Sequence, residues 1–333
     1  MIEVRNLVKK YGDHLAVNDL SFTVQKGEIL GFLGPNGAGK STTMNMITGY
    51  ISATEGTVII NGHDLFEEPE EAKKSIGYLP ELPPLYLDMT VKEYLNFVVE
   101  LKKVPKKDRK HDIEYAMKKT GIVDMQGRLI KHLSKGYRQR VGLAQAIIGN
   151  PDLIILDEPT VGLDPMQIIE IRELIKELSK NHAVILSSHI LAEISAVCDK
   201  VMIINQGRLI VSDTPENLSK HIKGSNSIQL LIHGEKAKVH TALATIRQIS
   251  KLEYKKEGEF LNVNVTCDSQ VDIRENIFYA MADIHCPILS MNSTKMSLED
   301  IFLKVTKESN KPVRRNFRNR SIVNQANKNM EGK

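Results

Sequence analysis

Eight consecutive residues near the start of the chain, Gly34, Pro35, Asn36, Gly37, Ala38, Gly39, Lys40 and Ser41, have the make-up of a polyphosphate cradle. The spacing G-x-x-x-x-G-K-S lets a tight turn aim successive backbone N–H groups at phosphate oxygens. Lys40 adds a cation that reaches the outer phosphates, and the Ser41 hydroxyl is a ligand for Mg2+. Thr42 continues the same stretch. A second chemical cluster lies far downstream. The apolar run Leu153, Ile154, Ile155, Leu156 ends in the adjacent carboxylates Asp157 and Glu158, and the run Ala183, Val184, Ile185, Leu186 ends in Ser187, Ser188 and His189. Carboxylates and an imidazole together are the groups of general acid–base chemistry. A pair of surface acids and an ordinary surface histidine are the competing readings.

These groups need a frame. The segment Glu28, Ile29, Leu30, Gly31, Phe32, Leu33 reads as a buried strand feeding the glycine-rich turn, and residues 41–48 as the helix leaving it. That helix points its positive end at the bound anion. Unbroken apolar runs such as 153–156 and 183–186 mark strands buried on both faces of a parallel sheet. Ligands of open α/β sheets bind at the carboxyl ends of such strands, where Glu158 and His189 both fall. Ahead of the turn, residues 2–4 and 20–24 alternate like half-buried strands. Tyr11, between them, can stack on a purine or be a partly exposed loop tyrosine.

Between Glu81 and Asn150 the pattern is helical. Glu81-Leu82-Pro83-Pro84-Leu85 cannot be regular structure. Thr90 and Glu93 have the spacing of a capping box. Val91, Leu95, Val98 and Leu101 then predict an amphipathic helix, with a basic exposed loop over residues 102–110. Ser134 caps the next helix, 141–148, and Gly136 permits close approach of a backbone or a phosphate. From residue 226 the pattern becomes strand, helix, strand, strand, helix, strand, a ferredoxin-like order. A closing helix is expected over 297–305.

With 333 residues, 41% hydrophobic and 26% charged, the chain has room for about two domains of ordinary globular character. The net charge of +4 gives no general case for nucleic acid. From Lys307 onward, however, eight basic residues face two acidic ones, so the tail is strongly basic and expected to be disordered. Cys198, Cys267 and Cys286 lack metal-ligand spacing and read as buried thiols in a reducing compartment. No run approaches the length that spans a bilayer, and the start lacks the charged and apolar regions of a signal peptide.

The ordered set of motifs resembles the ATP-binding cassette (ABC) subunit of ABC transporters. The phosphate loop 34–41, the signature 133–140, the strand ending at Asp157 and Glu158, the turn Gly162-Leu163-Asp164-Pro165 and His189 follow family order and spacing. Two departures are visible. Glu81 replaces the family's loop glutamine, and the signature reads Leu133-Ser134-Lys135-Gly136-Tyr137. Both variants, with the appended C-terminal domain, are similar to the branch serving type-2 exporters of drugs, polysaccharides, lipids or sodium. The resemblance implies an α/β fold: a P-loop cassette over 1–224 with a helical subdomain at about 82–150, a ferredoxin-like α+β domain over 226–305 and a basic tail over 306–333.

It further implies ATP and Mg2+ as ligands. Tyr11 would stack on adenine, residues 34–42 would hold the phosphates, and Ser41, Asp157 and Glu81 would serve the metal. Glu158 would be the general base and His189 the γ-phosphate contact. Ser134, Lys135, Gly136 and Tyr137 would touch ATP on a second subunit, with Asp164 at that interface. Implied partners are polytopic membrane permeases and a second cassette, most simply another copy. This places the chain on the cytoplasmic face of a membrane, and the basic tail suits weak contact with anionic lipid. The alternative is a soluble ABC ATPase acting on nucleic acid or ribosomes. A single phosphate loop, a single signature and no sustained heptads argue against it.

Overall fold

The computed structural model describes residues 1–221, 226–267 and 272–294. Its elements run β1 (Ile2–Tyr11), β2 (His14–Val24), β3 (Ile29–Leu33), α1 (Lys40–Ile47), β4 (Glu55–Ile60), β5 (His63–Asp64), α2 (Pro69–Lys74) and β6 (Ile76–Leu79). Next come α3 (Val91–Leu101), α4 (Arg109–Thr120), α5 (Lys135–Ile147), β7 (Leu153–Asp157), α6 (Pro165–Ser179), β8 (Ala183–Ser188) and α7 (Leu191–Val197). The hairpin β9 (Lys200–Asn205) and β10 (Arg208–Asp213) leads into α8 (Pro215–His221). After it come β11 (Asn226–His233), α9 (Lys236–Leu243), β12 (Ile249–Glu257), β13 (Phe260–Cys267), α10 (Arg274–Asp283) and β14 (Ile288–Thr294). The expected closing helix at 297–305 and the basic tail lie outside the described residues.

The central sheet has the order β10-β9-β3-β8-β7-β6. Its strands are parallel from β9 to β6, and β10 is antiparallel at one edge. Alternation along the strands divides two cores. Ile154, Leu156, Val184 and Leu186 face one cluster with helices α3 to α7, whereas Leu153, Ile155, Ala183 and Ile185 face another. That second cluster also holds Ile2, Val4 and Leu20 of the antiparallel sheet β2-β1-β4-β5, together with Met44 and Ile47 of α1. Burial on both faces is why these strands read as continuous apolar runs. Each buried Leu or Ile contributes roughly 1.5–3 kcal/mol, which fixes the strand ends that carry polar groups.

In the helical segment the capping box forms as the spacing predicts: Thr90 Oγ1 accepts from Glu93 N (3.3 Å), and Thr90 N donates to Glu93 Oε2 (2.8 Å). Two expectations need correction. Leu101 fits the apolar spacing yet is exposed, because Tyr94 and Val99 complete the buried stripe instead. Residues 102–110 are not simply a loop, since Arg109 and Lys110 open α4. Lys102 Nζ turns inward and donates to the carbonyls of Gln145, Ala146 and Ile148 at the end of α5 (3.0, 3.2 and 2.7 Å).

The C-terminal sheet is wholly antiparallel with the order β12-β13-β11-β14. That is the ferredoxin-like arrangement, and it packs Ile228, Leu230, Val263 and Val265 against Val239 and Ile277 of its two helices. Cys267 and Cys286 belong to this core and Cys198 to the core beside β3, all three buried.

Candidate functional site

Residues 34–39 join β3 to α1, and Gly39 precedes the helix with φ +104°. A Cβ at Gly39 would stand 2.6 Å from the Ala16 carbonyl of β2, so the turn needs glycine for its angle and for its neighbour. The loop is stitched in place. Gly207 N, in the β9–β10 turn, donates to Ala38 O (2.9 Å), and Asn18 N of β2 donates to Gly207 O (2.8 Å). Lys40 is buried, and its Nζ donates to the loop's own Gly34 O (2.8 Å) and Pro35 O (3.4 Å). Burial pushes its ammonium below the ordinary lysine value, while Glu158, Asp157 and Glu81 pull it back up.

The carboxylates sit where β7 ends. Asp157 accepts a hydrogen bond from Ser187 Oγ on the neighbouring β8. Glu158 has a left-handed backbone (φ +49°), and its N–H donates to Ser187 O and lies 3.2 Å from Ser187 Oγ. The turn swings its side chain toward the phosphate loop. Oε1 lies 4.0 Å from Lys40 Nζ, and Oε2 lies 2.9 Å from His189 Nδ1, where a ring N–H donates to the carboxylate. Burial raises the Glu158 carboxyl above its usual range, and the His189 hydrogen bond and charge, then Lys40, act in the opposite direction.

A cleft of about 460 Å3 is lined by Tyr11, His14, Ala16, residues 36–42, Glu81, Glu158, Val161 and His189. The fold thus gathers Tyr11, Asn36, Gly37, Ala38, Gly39, Lys40, Ser41, Thr42, Glu81, Glu158 and His189 from five separate stretches. Gly34, Pro35 and Asp157 are not in its lining: the first two hold Lys40 from behind, and Asp157 is tied to Ser187. Tyr11 is half exposed at the cleft, with Lys9 Nζ 5.1 Å from its ring centre. Three larger hollows, of about 760, 940 and 960 Å3, gather neither a glycine-rich turn nor a paired base.

The signature residues are not brought to this cleft. Ser134 caps α5 by accepting from Tyr137 N (3.3 Å), so the helix starts at Lys135, earlier than the apolar pattern from Val141 suggests. Asp164 caps α6 by accepting from Gln167 N (2.9 Å). The group that approaches Gly136 is the Gln167 amide, 2.4 Å from where a Cβ would stand, and Lys135 Nζ lies against Gly162 in the same way. Ser134, Lys135, Tyr137 and Asp164 therefore form a second surface, made by the start of α5 and the start of α6, with Gly136 buried beneath it against Gln167.

Sequence reasoning missed several groups. His14, Ala16 and Val161 line the cleft, and Ser187, Ser188 and Glu193 brace it. The hydroxyl pair directly ahead of His189 was the one available signal. Glu193 had none, because its burial comes from packing across the sheet.

A glycine-rich turn between a parallel strand and a helix, with a carboxylate and an imidazole at neighbouring strand ends, defines a P-loop nucleoside triphosphatase. The family description "ABC transporter" matches residues 17–161. The chain is 30% identical to the linearmycin resistance ATP-binding protein LnrL of Bacillus subtilis (strain 168) over 92% of this chain and 98% of that protein. It is 38% identical to the bacitracin transport ATP-binding protein BcrA of Bacillus licheniformis over 69% of this chain and 75% of that protein. A solved ATP-binding subunit of an ABC transporter superposes with a TM-score of 0.61 at 31% identity, covering 66% of this chain and 92% of the other. The chain belongs to the ABC transporter family, as an ATP-binding and ATP-hydrolysing subunit. None of these relatives supports the nucleic-acid alternative, and no described helix is long and apolar enough to cross a membrane.

Proposed function

We propose that the cleft is the ATP hydrolysis site and that the chain works as an exporter motor, paired with a second cassette and with membrane-spanning permease subunits. The carrying observation is the alignment of Lys40, Glu158 and His189, with the two ends within 4.0 and 2.9 Å of the central carboxylate. Loop amides and Lys40 bind the phosphates, and Tyr11 offers its ring to the base. Ionised Glu158 takes the proton of the attacking water. His189 orients that carboxylate and donates toward charge developing on the γ-phosphate. Ser41, Glu81 and Asp157 supply only oxygen donors, the set a hard Mg2+ prefers. Among the described residues there is no cluster of three acidic, His or Cys side chains to hold the ion alone. That suits an ion that keeps water and shares phosphate oxygens. When bound, Mg2+ neutralises phosphate charge during transfer.

Ser134, Lys135, Gly136 and Tyr137 lie away from the cleft of their own chain, which supports a composite site in which they meet ATP held by a partner, most simply another copy. Asp164 shares that surface. Exposed Tyr50, Leu82 and Tyr86 offer apolar contacts for a permease. Export as the direction rests on the relatives named for linearmycin resistance and bacitracin transport, and it places the chain on the cytoplasmic membrane face. The span 1–224 is the motor, 226–305 an accessory unit for dimer support or regulation, and 306–333 a basic tail. Glu158→Gln tests the site: ATP binding should persist while turnover falls by at least about a hundredfold. Undiminished turnover refutes the assignment.

A further inference from the structure

We propose that Glu193 is a positioning residue for ATP hydrolysis, clasping the turn that follows Glu158 to the strand end that carries His189. The proposal rests on the roles given above to those two residues. Glu193 lies on α7 and is only 5% exposed. Its Oε2 accepts from Thr160 Oγ1 (2.6 Å) and from Ser188 Oγ (3.0 Å). Thr160 stands two residues after Glu158, and Ser188 directly precedes His189. Ser188 Oγ also accepts from Ile190 N (3.0 Å), so the backbone is tied on both sides of His189.

A buried carboxyl is costly unless hydrogen-bonded, and here two hydroxyls from different loops converge on one oxygen. Among the described residues Glu193 forms no ion pair. Its contacts are therefore directed at these two loops. The helix that carries it is firmly seated. A Cβ at Gly31 of β3 would come within 2.7 Å of Ile194 Cγ2 and Cys198 Sγ, so α7 lies directly on the central strand. The clasp thus ties the turn after Glu158 and the end of β8 to a helix seated on the sheet. That turn opens with the left-handed backbone of Glu158. Releasing Thr160 lets that turn relax and moves the carboxylate away from His189. A displacement of about 1 Å at a reacting group is enough to cost roughly a hundredfold in rate.

The test uses the full-length chain and measures kcat, ATP Kd and melting temperature for Glu193→Ala, Glu193→Gln, Thr160→Val and Glu158→Gln. Glu193→Ala should lower kcat by about tenfold or more while ATP Kd stays within about twofold, because the phosphate loop is untouched. Glu193→Gln keeps an oxygen able to accept both hydroxyls and should return kcat to within about threefold of wild type. Thr160→Val removes one donor at constant shape and should lose kcat partially, with no further loss when added to Glu193→Ala. Undiminished kcat in Glu193→Ala or Thr160→Val overturns the clasp. So does a Gln variant as slow as the Ala variant, or a fall in ATP affinity that parallels kcat. Should Glu193→Ala fail to fold, Thr160→Val decides the matter alone. If Glu158→Gln retains turnover, the underlying reading fails; if it is inactive while the clasp variants are not, only this inference fails.

Discussion

Glu158 occupies a backbone region that costs a non-glycine residue about 1 kcal/mol, and its carboxyl is buried as well. Two penalties on one residue are tolerable where that placement performs the chemistry, as the proposed role of Glu158 has it. Its carboxyl is raised above the ordinary 4.5, chiefly by burial. The folded state therefore holds this proton longer than the unfolded chain does. Stability from this group is complete below the ordinary carboxylate range and is lost as pH rises through the folded value. Glu158→Gln should accordingly melt at a higher temperature than wild type at neutral pH, with the gap closing as pH falls below about 4.5. Equal melting curves at neutral pH would contradict the cost assigned to this charge. Because the His189 hydrogen bond lowers the same carboxyl, His189→Ala should shift the acid limb of the residual kcat profile to higher pH.

At the scale of elements, α5 presents its first turn, with Ser134 at the cap, to the second surface and anchors its last turn on Lys102. The three carbonyls it offers at that end would otherwise lack intrahelical donors. Burial brings the Lys102 ammonium down to about 8. Lys102→Met retains the stem and removes the donor, so it should cost about 1–3 kcal/mol in denaturant unfolding at pH 7. A change below about 0.5 kcal/mol would mean that solvent satisfies those carbonyls instead. Lys102 also shows where reading a sequence stops. Among neighbours such as Lys103, Lys106 and Lys107 it looks like one more solvated charge, and only the fold brings α5 to it. Leu101 fails in the opposite sense, fitting the spacing while facing solvent. Motifs set by local spacing, such as the Thr90 capping box and residues 34–41, were legible. Contacts between residues about thirty apart, such as Thr160 with Glu193, leave no local pattern to read.

For the whole molecule, the strand runs before Glu158 and His189 and the alternation at Leu261, Val263 and Val265 made the central and C-terminal sheets readable in outline. The sheet orders were not, since strand neighbours are chosen by packing. The charge pattern carries its own expectation. Removing residues 310–333 should leave ATP turnover within about twofold and weaken binding to vesicles containing anionic lipid. Collapse of turnover would give that segment a regulatory role instead. One bond seen at the phosphate loop has a wider consequence. Gly207, which holds Ala38, lies in the hairpin whose exit strand β10 continues into α8 and on to the C-terminal unit. The chain leading to the C-terminal unit therefore leaves from the same hairpin that holds the phosphate loop. A pull on the C-terminal unit would cross α8 and β10 before reaching the turn whose Gly207 N–H grips the Ala38 carbonyl, so the appended unit has a mechanical line to the proposed ATP site.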